Sequence, residues 1–367
     1  MKLLQSRNKG SLAMVVLLLL ISSFTGCSRV GPAYLKAGIG LYNEAINSTD
    51  AQQTLLTIVR NRYGESSTTL AVDAITANIR VSTNANINVG IGSDASFAGN
   101  LVPFSAGAVY EENPTISYTP VRGRKYLRQM RSPIPLDLLA LLTSAGSPQA
   151  FPLMFIVRKI NDIINPDFVT SPSTETDARF SRLLELMARL NSGGFLFLVH
   201  DPHKHFEYSL VIRSPAKAGV KEVHEFLTLL DIPWPDNESS DIILPIVMAM
   251  EKSTPDSVAI QTRSLSDLVD ILSSSIDVPQ MDIKSGVAVK FPPPSLIGRK
   301  LHITSSQTRP SNSSVTVKYR GMWFSIDETD QSTKMAFRIV QVLHSVMIAE
   351  ASGNVQTAPV LTIPVSR

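Results

Sequence analysis

A single cysteine, Cys27, is the feature that most restricts how this chain of 367 residues can fold. One thiol cannot form an intramolecular disulfide, so the fold must rest on the burial of apolar side chains. The 340 residues after Cys27 are enough for one large domain or two modest ones. Hydrophobic residues make up 44% of the chain, which favours a packed globular core.

The segment before Cys27 has the layout of a secretory signal. Lys2, Arg7 and Lys9 precede an unbroken apolar run over residues 12–21, and no acidic residue lies among them. As a helix this run would be ~15 Å long, whereas crossing the hydrocarbon layer takes about 20 residues. We therefore predict that residues 1–26 are an export signal and not a permanent membrane span.

Residues 22–27, SSFTGC, resemble the lipobox of bacterial lipoproteins. There, small residues precede a cysteine that is acylated and becomes the first residue of the mature protein, although Phe24 stands where an aliphatic residue is usual. The resemblance implies lipidation of Cys27, with palmitate among the acyl chains, and this accounts for the unpaired cysteine of an exported protein. Because Ser28 and not Asp follows, it also implies sorting to the outer membrane, facing the periplasm. The alternative is an ordinary cleaved signal followed by an incidental cysteine.

The charge balance argues against a nucleic-acid partner. Three of the 34 basic residues precede Cys27, so 31 basic residues face 31 acidic residues in the remainder. A neutral surface offers no basic patch for phosphates. The partners that we predict are the membrane, through the N-terminal lipid anchor, and an envelope protein of unknown identity.

Apolar spacing predicts an amphipathic helix over residues 51–63, with Asp50 as its N-cap. Alternation within Asn, Ser and Gly predicts a weakly packed strand hairpin in residues 77–108 and a short strand at 115–118. The spacing then predicts a helical middle block. Its predicted helices are residues 122–130, 136–142, 151–164 and 178–190.

Two later stretches echo each other. Each reads as a strand, an Arg-Ser pair, a helix and an Asp-aliphatic-Pro end, first around Arg213–Ser214 and then around Arg263–Ser264. A structural repeat and a coincidence in a serine-rich chain explain this echo equally well. Modules that end in Asp-Ile-Pro also faintly resemble small ring-forming domains of secretion systems.

The sequence pattern of the C-terminal part predicts a hairpin over residues 315–326 with a two-residue turn, a helix capped by Asp330, and a final strand at 360–363. The whole pattern is α+β, with a helical middle block and short antiparallel strands or hairpins. We expect residues 27–50 to form the lipidated N-terminus and tether. Residues 51–367 should form one globular domain, with 51–194 and 195–367 as possible sub-blocks.

Candidate chemistry is sparse, and we predict no catalytic, cofactor or metal site. His200, His203 and His205 lie within six residues, but the intervening proline and lysine favour a solvated hairpin turn over weak metal binding. Ser214 and Ser264 lack the Gly-x-Ser-x-Gly elbow of a nucleophile, whichever histidine would act as base. The flanking arginines favour a brace at a strand-to-helix corner. The candidate bases are His224, His302 and His344.

Two further motifs are better interpreted as structural features than as functional sites. Gly90 and Gly92 favour a hairpin tip over a nucleotide loop, because no strand–loop–helix context follows. The aromatic alternation in residues 319–324 favours cross-strand packing over an exposed glycan or protein patch.

Several segments resemble a widespread family of uncharacterised Gram-negative lipoproteins of unknown function. The matching segments are QTLLTIVRNRY (53–63), PTISYTP (114–120), SPIPL (132–136), residues 262–264, YRGMWFSID (319–327) and PVLTIPV (359–365). They span most of the chain after Cys27, so the resemblance implies a full-length relationship, but it implies no activity for any residue.

These observations lead us to expect a noncatalytic outer-membrane lipoprotein whose periplasmic domain is a structural or accessory component of an envelope assembly. The alternative is an enzyme that acts on an envelope polymer, with a site too dispersed to recognise. A polar cleft would favour the enzyme, and an apolar surface patch would favour the assembly component.

The substitution Cys27→Ser should abolish acylation and release the protein from membranes, because no other segment of the sequence can hold it there. Labelling with radioactive palmitate and membrane fractionation measure both effects. If the variant still incorporates palmitate, or fractionates with the outer membrane like the wild type, the anchor is elsewhere.

Overall fold

The computed structural model describes residues 30–65, 69–87, 104–121, 123–144, 150–168, 174–200, 208–234 and 240–352. These divide into two units, with the division between Leu55 and Leu56. The predicted fold class is confirmed, because helices are combined with a mixed six-stranded sheet and an antiparallel three-stranded sheet. Among the described helices, none is long and apolar enough to cross a membrane.

Helix α1 runs from Val30 to Arg62 and is much longer than the helix predicted over residues 51–63. The prediction of Asp50 as an N-cap is wrong, since Asp50 lies inside the helix. Pro32 does not interrupt it, because a proline in the first turn removes an N–H that has no helical partner. The predicted end is right to within one residue, and Gly64 follows in a left-handed conformation at φ 70°.

Strands β1 (Thr69–Ile87) and β2 (Phe104–Val121) form an antiparallel hairpin that is longer than predicted. Its register runs from Thr69 opposite Val121 to Ile87 opposite Phe104, with one irregularity between Val72 and Ala74. The strand predicted at 115–118 is therefore part of β2. The predicted hairpin tip around Gly90 lies outside the described residues.

Helices α2 (Arg124–Arg131) and α3 (Leu136–Ser144) agree closely with the prediction. The helix predicted over residues 151–164 is wrong beyond its first half. Helix α4 covers only Ala150–Ile156 and is followed by the short strands β3 (Val157–Ile160) and β4 (Ile163–Ile164). Apolar β-branched residues suit a buried strand as well as a helix, so periodicity alone could not distinguish the two.

Helix α5 (Thr174–Ser192) extends the helix predicted over residues 178–190. It leads into the hairpin of β5 (Leu196–His200) and β6 (Tyr208–Ile212), in which His200 pairs with Tyr208. The turn that should contain His203 and His205 lies outside the described residues.

The two stretches with similar sequence patterns each contain a strand followed by a helix. Strand β6 is followed by the short helix α6 (Pro215–Ala218) and helix α7 (Val220–Leu229), and strand β8 (Val258–Thr262) is followed by helix α8 (Leu265–Ser274). Strand β7 (Ile242–Val247) lies between the two copies. The sheet order is β4-β3-β8-β7-β6-β5, and every neighbouring pair is antiparallel except β7 with β8.

The C-terminal part begins with helix α9 (Gln280–Lys284), a 3₁₀ turn (Leu296–Lys300) and strand β9 (Thr304–Ser306). The predicted hairpin is confirmed as β10 (Ser313–Tyr319) and β11 (Met322–Asp327), joined by Arg320 and Gly321, both at positive φ. Helix α10 (Gln331–Ser352) follows, and the Asp330 carboxylate accepts the Thr333 N–H at 3.0 Å, as a predicted N-cap should. The strand predicted at 360–363 lies outside the described residues.

The end of α1 is tied to the C-terminal elements by polar contacts. The Asn61 amide donates to the Asp270 carboxylate at 2.8 Å and to the Ser273 hydroxyl at 3.0 Å. The Tyr63 hydroxyl donates to Asp282 at 2.8 Å, and its ring lies 5.2 Å from the ring of Tyr319. Phe324 is fully buried in the same cluster, so Tyr319 and Phe324 serve packing, as expected. Trp323 is half-buried, and Arg309 and Lys318 lie over its ring.

His344 should make the stability of the protein fall in mild acid. It is buried on α10, and burial lowers its pKa to about 4 from an ordinary value of 6.5. The unfolded chain therefore binds the extra proton first, so this contribution is complete above about pH 6.5 and is lost as the pH falls towards 4. At pH 5 the loss should be about 2 kcal/mol of unfolding free energy relative to pH 8.

Chemical denaturation of the wild type and His344→Gln at both pH values measures this effect. The wild type should lose more stability on acidification than the variant. His302→Gln, at an exposed position, is the matched control and should behave like the wild type. Equal pH dependence in all three proteins would contradict the argument.

Candidate functional site

The predicted lipidation site, Cys27, lies outside the residues that the structure describes, as do His203 and His205. His200 ends β5, where its ring lies 5.0 Å from the ring of Tyr208. In the described ranges no group of three or more His, Cys, Asp or Glu side chains could hold a metal ion.

The two candidate serines have structural contacts. The Ser264 hydroxyl accepts the Asp267 N–H at 3.2 Å and the Asp267 carboxylate accepts the Ser264 N–H at 2.8 Å, which makes a capping box at the start of α8. Ser214, its counterpart in the first copy, instead adopts a left-handed conformation at φ 45°, and its side chain makes no cap. The arrangement at Ser264 starts a helix and does not activate a nucleophile.

Arg263 is the most deeply buried charged side chain among the described residues, with 1% of its surface exposed. Its guanidinium ion-pairs with Asp167 through Nε. The two terminal nitrogens donate to four backbone carbonyls at 2.7–3.2 Å. Those carbonyls belong to Met154, Phe155, Val157 and Asn165.

All three nitrogens of the guanidinium make polar contacts, with three of the four carbonyls facing the same terminal nitrogen. Burial lowers the pKa of Arg263, and the charge of Asp167 opposes that shift. Asp167 also pairs with Arg158 at 2.6 Å, and Arg158 approaches Asp267 at 3.5 Å. The predicted brace at a strand-to-helix corner is thus what Arg263 provides. Sequence reasoning missed Asp167, because it lies 96 residues from Arg263 in the chain.

The counterpart Arg213 is on the surface. Its guanidinium lies 5.1 Å from the centre of the Phe197 ring, and no carboxylate is recorded against it among the described ion pairs. The Arg213 N–H donates to the Phe195 carbonyl, and the Arg263 N–H donates to the Ile156 carbonyl. Each acceptor directly precedes a strand of the sheet, β5 after Phe195 and β3 after Ile156. The repeat therefore preserves the backbone contact and not the side-chain environment.

An apolar cavity of about 340 Å³ lies between the six-stranded sheet and helices α3, α4 and α5. Its walls come from nine helices and strands spread over more than a hundred residues of sequence. Six of the lining side chains are Leu139, Leu153, Leu183, Leu210, Phe226 and Val258. No charged side chain lines it.

The two polar side chains in the cavity wall are occupied by the protein itself. The Thr143 hydroxyl donates to the Ala140 carbonyl at 2.9 Å, and the Asn191 amide donates to the Leu196 carbonyl at 2.9 Å. The interior of the cavity consequently offers hydrocarbon contact and little hydrogen bonding.

The opposite face of the same sheet exposes apolar side chains over three adjacent strands. Phe197, Val211 and Ile243 are cross-strand neighbours on β5, β6 and β7. Ile243 is 60% exposed and Val199 is 44% exposed. In the next row the half-buried Ser209 lies between Val199 and the exposed Pro245. We call the five apolar residues of these two rows the outer sheet face.

A polar cleft of about 630 Å³ lies at the end of β3, beside α5, α7 and the loop that follows β7. Its charges pair locally. Asp162 accepts from Arg179 at 2.9 Å, and Lys252 approaches Asp231 at 3.1 Å. At its base the buried Asn161 donates to the Leu230 carbonyl at 2.7 Å and accepts the Ala259 N–H at 2.8 Å, so its amide ties two elements together.

Comparisons with protein-family models, with curated proteins and with solved structures give no match for this chain. The resemblance to uncharacterised lipoproteins therefore remains a prediction from the sequence.

Replacing Arg263 by Met should lower the unfolding free energy by about 3–5 kcal/mol, because the Phe155 and Asn165 carbonyls lose the guanidinium donor and Asp167 loses its buried partner. The carbonyls of Met154 and Val157 keep the Asn165 side-chain amide as a donor. The matched control is Arg213→Met, which removes the same side chain from a surface position and should cost less than about 1 kcal/mol. Urea denaturation of both variants measures the difference. Similar losses in the two variants would show that the Arg263 contacts contribute no more than a surface arginine.

Proposed function

We propose that this protein is a noncatalytic lipoprotein of the outer membrane, anchored through Cys27, whose periplasm-facing domain is a structural or accessory component of an envelope assembly. The single observation that carries the assembly role is the outer sheet face. The anchor itself is supported by the sequence, through the export signal and the lipobox-like residues before Cys27.

Isolated exposed apolar residues are common on any protein, and a contiguous patch is what indicates a binding surface. Here the residues are adjacent in the sheet register, with the half-buried Phe197 and Val211 and the exposed Ile243 in one row. They lie on strands with regular hydrogen bonding, so the surface is preformed and loses little entropy on binding. The guanidinium of Arg213 over the Phe197 ring gives the patch a charged rim, and protein interfaces favour arginine and aromatic residues.

A second candidate is an enzyme that acts on an envelope polymer, and the polar cleft is the observation that favours it. The cleft is large enough for a sugar or peptide unit and carries the carboxylates Asp162, Asp231 and Glu251. Two of these are engaged in ion pairs with Arg179 and Lys252, which is why we rank this function second.

Chemical crosslinking of the lipidated protein in intact envelopes tests the proposal. Ile243→Asp should remove a crosslinked partner that the wild type captures, because a buried unpaired carboxylate is strongly unfavourable in an apolar interface. Val342→Asp is the matched control, since Val342 is 44% exposed on α10, away from the sheet, and it should retain the partner.

Both variants should melt at the temperature of the wild type, because both positions are exposed. If Ile243→Asp and Val342→Asp give the same crosslinks as the wild type, the outer sheet face is not the interface. If Asp162→Asn alone abolishes turnover of an envelope polymer by the protein, the enzymatic candidate replaces the proposal.

A further inference from the structure

We infer that the apolar cavity between the six-stranded sheet and helices α3, α4 and α5 is a binding site for a hydrocarbon chain, such as the acyl chain of a lipid. The inference does not rest on the outer sheet face, whose only residue among those that line the cavity is Phe197.

The size of the cavity suits a ligand. At about 340 Å³ it lies within the ~300–1,000 Å³ range of small-molecule sites. An engineered apolar cavity of about 150 Å³ already stays dry and binds benzene. Protein interiors otherwise contain few voids larger than a water molecule, so an apolar cavity of this size is unusual in a packed domain.

The chemistry of the wall selects an apolar occupant. Leucine, isoleucine, valine and phenylalanine side chains dominate the lining, and no charged group is among them. The hydroxyl of Thr143 and the amide of Asn191 already donate to backbone carbonyls. Water in such a cavity would find few of the two to four polar partners that an ordered water needs, whereas a hydrocarbon chain gains apolar contacts there.

The cavity reaches the surface between α5 and the edge strand β5. Among its lining residues only Ala188 and Leu198 are exposed, Leu198 by 38%. A chain can therefore enter between these two elements while a polar head remains outside. The nearby charges of α5 pair with each other, with Arg189 at 2.9 Å from Glu185, so recognition rests on the chain and not on the head.

Photolabelling of the full-length protein, held in amphipol, tests the inference. The probe is myristic acid with a diazirine on its terminal carbon, and the labelled peptides are identified by mass spectrometry. We expect label on α5 residues that line the cavity, such as Leu184 and Met187. Unlabelled fatty acids of increasing length should compete about fourfold better per added methylene until the cavity is full.

Two substitutions should reduce this labelling at least tenfold. Leu153→Trp fills the cavity from α4, and Ala188→Trp blocks the mouth at an exposed position where folding tolerates a larger side chain. Val342→Trp, on the surface of α10, is the matched control and should label like the wild type. A thermal melt shows which variants fold. If Leu153→Trp does not fold, the labelling of Ala188→Trp alone tests the inference.

Competition distinguishes the two sources of an acyl chain. Displacement by myristic acid alone indicates a free fatty acid, and displacement by lysophosphatidylcholine with the same chain indicates that a lipid head is accommodated outside. Label that is spread over the surface, unchanged in Ala188→Trp, or displaced by neither competitor would overturn the inference.

Discussion

The buried guanidinium of Arg263 determines how the middle of this protein is arranged. A helix leaves its last carbonyls without intrahelical donors, and Arg263 supplies donors to those of Met154 and Phe155 at the end of α4. The chain can then leave the helix at Ile156 and enter the sheet as β3 beside β8. Asp167 neutralises the cation from the segment that follows β4, so one side chain holds a helix end, a strand and a loop together.

The cavity depends on the same arrangement. Its floor includes Ile160 of β3 together with Val258 and Ile260 of β8, strands whose pairing the Arg263 contacts fix. Its opposite wall includes α4, whose end is held by the same guanidinium. The contacts of Arg263 and the apolar cavity thus both depend on the turn of the chain from α4 into β3. Neither would form if residues 151–164 continued as a single helix.

The repeat shows what sequence patterns could predict and where they stopped. The strand, the Arg-Ser pair and the helix occur in both copies as expected, because apolar periodicity and capping residues act locally. The environments differ, since Arg213 lies over an exposed ring and Arg263 in the core. That difference depends on Asp167, which is distant in sequence, and no local pattern encodes it. The fold class, the hairpin of β10 and β11 and the cap at Asp330 followed from local signals. The break after Ile156 and the cavity did not, because each depends on contacts between remote segments.

The parallel pairing of β7 with β8 extends over only two residue pairs, Ile246 with Val258 and Val247 with Ala259. On either side of it lie antiparallel ladders, β5-β6-β7 and β8-β3-β4. The sheet is therefore two smaller antiparallel sheets joined along a short seam, and helix α5 contacts both of them, at β4 and at β5. Local opening in proteins follows such boundaries between cooperative units, so this seam is where thermal fluctuations should part the sheet. Ile246 and Val258 belong to the cavity wall. Separation of the two strands at this seam therefore changes the volume of the cavity.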